Sequence, residues 1–380
     1  MSPEWPLSWP LEWKTPAGAK TVETPEFTAY TAGTAPPGVT VVKGEWAGIR
    51  RQSGGASAGP TGAAWVDSNG WHIRLTRQRQ PDKTVWIEAE APKPDEVLRV
   101  ESYLVGIADA AAHGGKWILT LDPAFRRGVA EGKADCLNDW QRIRAAVRFF
   151  ATHQAWAAVP ARAVLGVLSD FSGDNEFLAG EILNLAARQQ IPYLILDKAR
   201  FDRVPPVLKA IVYPDTQPPS GPLRSQLSQF AQNGGLLIVG KSWGQPAGSP
   251  LPDSPTVRYS VYASGKGRIA LAKEMDDPFL VAADAQVLLS HRNDVVRAWN
   301  GGAMGMYATG DARRSVVHLI NYTGRPGNEP VSLWVAGQFQ SAMFYSLDST
   351  DGKPLKIVPQ RGGAELHLPP VAVYAAVEVS

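Results

Sequence analysis

The sequence predicts an α/β protein followed by an antiparallel β-sandwich, and three observations carry that reading. Between 163 and 240, short apolar runs ("AVLGVL", "YLIL", "AIVY", "LLIV") alternate with segments of helical spacing, as buried parallel strands and crossover helices do. After 256 the period changes to two in "VVHLINY", "VSLWV", "SAMFYSL", "AELHL" and "VAVYAAVEV", which reads as a sandwich. Hydrophobic residues make up 44% and charged ones 19% of 380 residues, a globular composition long enough for more than one core.

Taken in order, residues 1–37 are rich in Pro and Thr and carry three Trp, and read as an arm on the surface, anchored by its indoles. "GVTVV", "GAAWV" and "TVWIEAEA" are strand candidates. Apolar residues at 97, 100, 104, 107 and 111 predict a helix that Pro94 and Asp95 open and Gly114 and Gly115 close. "KWILTLD" is a further strand, and spacing at 140, 143, 147 and 150 a further helix. Leu178, Ile182 and Leu185 share one helix face, and Leu223, Leu227 and Phe230 another, which a Gly pair ends. Residues 246–256 are Pro/Gly/Ser-rich and read as a linker, which places the sandwich at 257–380.

Within 38–245, eight parallel strands can be counted, near 40, 64, 86, 119, 165, 194, 211 and 237. Two architectures fit: a compact (β/α)8-like barrel, or a reduced barrel half plus an open sheet over 163–240. Between 44 and 62 no helix is evident, and only "WHIRLTRQRQ" could fill the next helical slot.

The stretch from "AVLGVLSDFSGDNEF" to "FAQNGGLLIVG", with "GKGRIALAKE" and "VVHLINYTG" after it, resembles the part of family 42 type β-galactosidases that follows the barrel. The resemblance implies a flavodoxin-like (amidotransferase-like) domain, then a terminal β-sandwich, and a glycoside hydrolase. It covers roughly the last 220 residues. The first 160 are too short for that family's full catalytic barrel, so its catalytic glutamates are not carried over.

Glycoside hydrolysis usually needs two carboxylates, about 5–5.5 Å apart for retention and about 6.5–9.5 Å for inversion. In barrels such groups end the strands. Asp67 ends "AAWVD", Glu88 and Glu90 end "TVWIEAEA", Asp122 ends "WILTLD" and Asp170 ends "VLGVLSD". Glu88 and Asp122 are the expected acid–nucleophile pair, with either residue open to either role and Asp67 in reserve. In "GPTGAAWVDSNGW", Trp65 and Trp71 flank Asp67 and Asn69. Flat apolar faces beside hydrogen-bonding groups suit a pyranose ring, so Trp46, Trp65, Asn69, Trp71, Glu90 and Asp170 are the expected sugar contacts. A β-turn with core indoles explains the same stretch without a ligand. Asp is equally at home as a helix cap, and Asp174 or Asn175 with Glu176 reads as a helix start.

The formal net charge is +2 with scattered basic residues, so no nucleic-acid partner is expected. No apolar run reaches the ~20 residues of a membrane helix. A single cysteine, Cys136, excludes an internal disulfide and a cysteine-based zinc cluster. His72, His113, His153, His291, His318 and His367 show no metal-ligand spacing, so no metal or cofactor is expected. "G-x-S-x-G" is absent, which weakens an esterase or amidotransferase reading. The expected function is a glycoside hydrolase acting on a plant or microbial oligo- or polysaccharide. Its rival is a non-catalytic glycan-binding or assembly protein on the same scaffold, and a homo-oligomer is compatible with either. The start "MSPEWPLSWPLEWKTP" lacks the basic and apolar regions of a signal peptide. A periplasmic or secreted location is expected if one has been lost, and a cytoplasmic one stays open.

Overall fold

Apolar residues on both faces of a strand require cover on both sides, and the strand Leu165–Ser169 is buried at every position. The computed structural model describes residues 4–8, 22, 24–47, 68–302, 304–327 and 329–380, with 49–51 and 57–60 described by backbone alone. In it, Leu165–Ser169 lies inside an open six-stranded sheet. The strand order is Tyr193–Asp197, Leu165–Ser169, Ala210–Tyr213, Leu236–Val239, Gly267–Ala272, Tyr259–Ser264. All pairings are parallel except the last. Of the two architectures the sequence leaves open, the structure is the reduced barrel half plus this open, flavodoxin-like sheet.

The barrel half is a curved parallel sheet. Val39–Gly44 pairs with Thr84–Ala89, which pairs with Gly115–Trp117. Leu119 then donates to the Pro6 carbonyl at 2.9 Å, and Trp5–Leu7 pairs with Phe27–Ala29. The described pieces of the N-terminal segment are therefore not a surface arm. Two of its pieces are strands, and Trp5, Leu7 and Phe27 are core residues.

Helices α1 (Gly70–Arg79), α2 (Val100–Ala112), α3 (Pro123–Ala130) and α4 (Ala134–Thr152) follow in this half. Val85, Ile87, Trp117 and Leu119 form one core with Tyr103 and Ile107 of α2 and Trp140 and Ile143 of α4. Helix α2 starts five residues later than its spacing suggests, because Val97–Leu98 pairs as a strand with Ser57–Pro60. Candidate strand 64 lies outside the described residues.

Around the open sheet, α5 (Asp174–Arg188) and α7 (Pro278–Leu289) cover one face and α6 (Gly221–Gln232) the other. Helix α7, "PFLVAADAQVLL", is apolar nearly all round and gave no helical stripe. The domain boundary also moves. Tyr259–Ser264 and Gly267–Ala272 belong to the open sheet, so 246–256 is a loop within it and not a linker. The sandwich starts near Val296, with one sheet ordered Val296–Trp299, Ser332–Ala336, Gly363–His367, Val358–Gln360. The second sheet is ordered Met304–Gly310, Ser315–Asn321, Tyr374–Val379, Ala342–Ser346, Ser349–Pro354.

Where the three bodies meet, His113 of α2 and His318 of the sandwich flank the Tyr307 ring, with centroids 5.0 and 5.7 Å from it. Burial lowers the affinity of His113 for a proton, against the opposing charge of Asp109. Burial, then the neighbouring His113, push His318 down to about 3. Unfolded, each would titrate near ~6.5. Below that pH the unfolded chain binds protons that the folded chain refuses, so the stability present above it is lost as pH falls. The melting temperature should therefore drop as pH falls from about 6.5 to about 4.5, and His318→Phe should reduce that slope. Equal slopes in the two proteins would rule out His318 as a source.

Candidate functional site

Strand alternation sorts the side chains at the C-terminal edge of the barrel half. Val42, Ile87 and Ala89 pack against the helices, which turns Lys43 and Glu88 to the opposite face; Glu45 and Glu90 follow directly after the ends of the two strands. Lys43 and Glu88 are register partners. The Glu88 carboxylate accepts from the Tyr30 hydroxyl at 3.1 Å. Burial, and beside it the hydrogen bond to Glu88, raise the Tyr30 phenol above its usual range, so it stays a donor. Beneath this rim Tyr30 meets Trp86 edge-on, 5.8 Å between centroids, over Val39, Val41 and Ile118.

Two expected sugar contacts turn out to hold this edge from behind. Trp46 is only 8% exposed and meets Trp117 and Tyr103 edge-on. Its indole N–H donates to the Glu90 carbonyl at 2.6 Å. Asn69 is buried. Its Oδ1 accepts from Glu45 N at 2.9 Å, and its Nδ2 donates to Glu45 O at 2.9 Å and to Asp109 at 3.0 Å. Both residues position the backbone that carries Glu45 and Glu90, and neither offers a face to a ligand.

Trp71 lies on α1, not on a loop. Its ring stacks towards Phe171, 6.3 Å between centroids, and a Cβ on Gly180 of α5 would come within 2.6 Å of it. It is packing between α1 and α5. Trp65 and Asp67 lie outside the described residues.

Asp122 does not pair with Glu88. It is fully buried and caps α3, Oδ1 accepting from the backbone N–H of Ala124 at 3.0 Å and Phe125 at 2.9 Å. Oδ2 accepts from the Tyr103 hydroxyl at 2.8 Å and Leu98 N at 3.2 Å. Those donors belong to the helix-side core, whereas Glu88 faces the other way. The Asp-Pro start of α3 is the cap signal that outweighs the strand-end reading.

Asp170 sits elsewhere, in the crevice where the strand order of the open sheet reverses, the usual ligand position of such folds. It accepts from Ser172 and Asn175, and Lys198 lies 3.5 Å away. Burial pushes its carboxyl up, but the bonds from Asn175 and Ser172 hold it below the usual range. Against burial, Asp215 at 2.8 Å raises Lys198 and keeps it charged. Asp215 is itself buried, and its Oδ1 has no hydrogen-bond partner. Sequence reasoning passed over Lys198 and Asp215, although "YLILDK" and "AIVYPD" carry the same strand-end signal that picked out Asp170. It also passed over Tyr30, Lys43 and Glu45. Among the described residues no His/Cys/Asp/Glu group is arranged to hold a metal ion. No helix among them is long and apolar enough to cross a membrane.

No family model and no curated protein matches the chain. Solved structures do. α-L-Fucosidase isoenzyme 2 from Paenibacillus thiaminolyticus superposes with a TM-score of 0.54 at 11% identity, over 78% of this chain and 60% of that one. A catalytic variant of the GH42 β-galactosidase Gan42B from G. stearothermophilus gives 0.50 at 12% identity, over 82% and 56%. The β-galactosidase of Rahnella sp. R3 gives 0.50 at 11%, over 82% and 57%. The chain thus spans 56% to 60% of these proteins' lengths, and what it shares with them is a glycoside hydrolase-like fold.

The two carboxylates should separate in stability measurements. Asp122→Ala strips a cap and orphans buried donors, and should cost about 3 kcal/mol. Glu88→Gln keeps an acceptor for Tyr30 and should change stability by less than about 0.5 kcal/mol. Denaturant titrations that rank them the other way would contradict these placements.

Proposed function

We propose that this chain is a carbohydrate-binding protein built on a glycosidase-like scaffold of the family 42 type. It takes an oligo- or polysaccharide at the C-terminal edge of the barrel half. One observation carries the reading: Lys43 and Glu88 share one face at the ends of two parallel strands, over the Tyr30–Trp86 pair, and Glu45 and Glu90 follow directly after those ends. Barrels place their ligands at that end of the strands. Carboxylates accept from sugar hydroxyls, the Lys43 ammonium donates to them, and the Tyr30–Glu88 bond fixes one acceptor in place. The reading is non-hydrolytic because Asp122, the expected partner of Glu88, spends both oxygens on the protein.

A second reading keeps hydrolysis. Glu45, Glu88 and Glu90 are grouped at one edge, and a pair of them about 5–5.5 Å apart would meet the needs of retaining chemistry. Titration calorimetry on a panel of plant and microbial oligosaccharides, with aryl glycoside assays alongside, separates the two. The first reading expects saturable binding without turnover, weakened about tenfold or more by Glu88→Gln. Turnover that Glu88→Gln abolishes would establish the second. Neither binding nor turnover across the panel would overturn both.

A further inference from the structure

The outer face of the four-stranded sandwich sheet carries a groove of about 760 Å³. Val296, Leu333, Val335 and Leu366 point into the sandwich core, so Arg297, Trp299, Trp334 and Glu365 point outward. Register sets Arg297, Trp334, Glu365 and Val358 in one row across all four strands. Trp299 stands beside Ser332 in the next row and is 46% exposed, an unusual exposure for the largest apolar side chain.

Glycine at 363 shapes the floor. A Cβ there would stand 2.6 Å from Cε2 and 2.7 Å from Cζ2 of Trp334. The indole therefore reaches over to the neighbouring strand and lies against its backbone. Arg297 stacks above it, 5.3 Å from the ring centroid, and is fixed there by Asp294 at 2.6 Å. Glu365 takes a hydrogen bond from Gln360 at 3.2 Å. Three guanidinium groups, Arg292, Arg297 and Arg361, line the groove against two carboxylates, Asp294 and Glu365. Of the three, only Arg297 has a carboxylate partner among the described residues; Arg292 and Arg361 are exposed with none.

We propose that this face is a second glycan-binding surface, independent of the barrel edge, and that it takes an acidic polysaccharide bearing carboxylate or sulfate groups. The exposed Trp299 face suits the CH-rich side of a pyranose ring. Arg292 and Arg361 offer forked donors that match carboxylate or sulfate oxygens. A peptide strand would instead add to a sheet edge or seek an apolar groove, whereas here the ligand surface crosses the strands and is lined by five charged side chains. The volume fits a few sugar rings.

The test is affinity electrophoresis of the full chain in gels containing polygalacturonate, a sulfated galactan or a neutral galactan. Retardation is expected with one or both acidic polymers, which also tells uronate from sulfate, and not with the neutral one. It should weaken as NaCl rises from about 0.05 to about 0.5 M. Trp299→Ala, and separately the Arg292→Ala/Arg361→Ala double variant, should raise the apparent Kd about tenfold or more. Trp299→Phe should restore much of the loss, and Phe177→Ala, at an exposed site on α5, should leave binding as in the parent. Circular dichroism melts confirm that each variant is folded. The proposal is overturned by equal retardation in neutral galactan, by equal binding of polyglutamate or single-stranded DNA, by no retardation in any gel, or by retardation unchanged in Trp299→Ala and in the arginine double variant.

Discussion

One buried carboxylate ties the barrel half of this protein to its sandwich. Asp109, on α2, is wholly buried. Its Oδ2 accepts from Asn69 N at 2.9 Å and Asn69 Nδ2 at 3.0 Å, and its Oδ1 accepts from the Tyr322 hydroxyl at 2.8 Å. Its main-chain carbonyl meets His113 Nδ1 at 2.8 Å. A charge taken out of water is tolerated only when such donors surround it. The donors come from the start of α1 and from the sandwich, so satisfying Asp109 also fixes how those elements sit on α2. Arg74 adds a second tie, stacked 4.5 Å from both the Tyr193 and Tyr307 rings, which joins α1 to the open sheet and to the sandwich.

The chain of consequences reaches the barrel edge. Asn69, held by Asp109, clamps Glu45 through both its N–H and its carbonyl. Trp46, wedged against Trp117 and Tyr103, holds the Glu90 carbonyl. The exposed carboxylates are thus presented by backbone that the buried network immobilises, which is how a binding edge becomes preorganised. Helices α1 to α4 cover one face of the barrel half. On the other, Tyr30, Trp86 and Ile118 form a small core of their own.

Local pattern made much of this legible and left the rest hidden for definite reasons. Helices α4, α5 and α6 announce themselves by apolar spacing, and four of the six strands of the open sheet by runs buried on both faces. Helix α7 carries apolar residues on its exposed side as well, Phe279 and Val287 among them, so it shows no stripe. The pairing of Trp5–Leu7 and Phe27–Ala29 into the first sheet depends on contacts with Leu119, more than a hundred residues away, which no local pattern carries. At the candidate site, alternation places Glu88 on the face opposite the helices. Asp122 is hard to read because a strand end and a helix cap ask for the same residue, and the Pro123 that follows it is the local sign of the cap. Trp46 and Trp71 were misread for a related reason: an indole suited to a sugar is equally suited to a core.

The central claim is that Asp109 couples the barrel half and the sandwich into one cooperative structure, and hydrogen exchange on Asp109→Ala tests it most directly. Removing a buried, fully bonded charge should cost about 3–5 kcal/mol. The account predicts that amide protection falls together in α1, in α2 and in the sandwich strand Ser315–Asn321, which leads to Tyr322. Loss of protection confined to α2, with α1 and that strand unchanged, would contradict it.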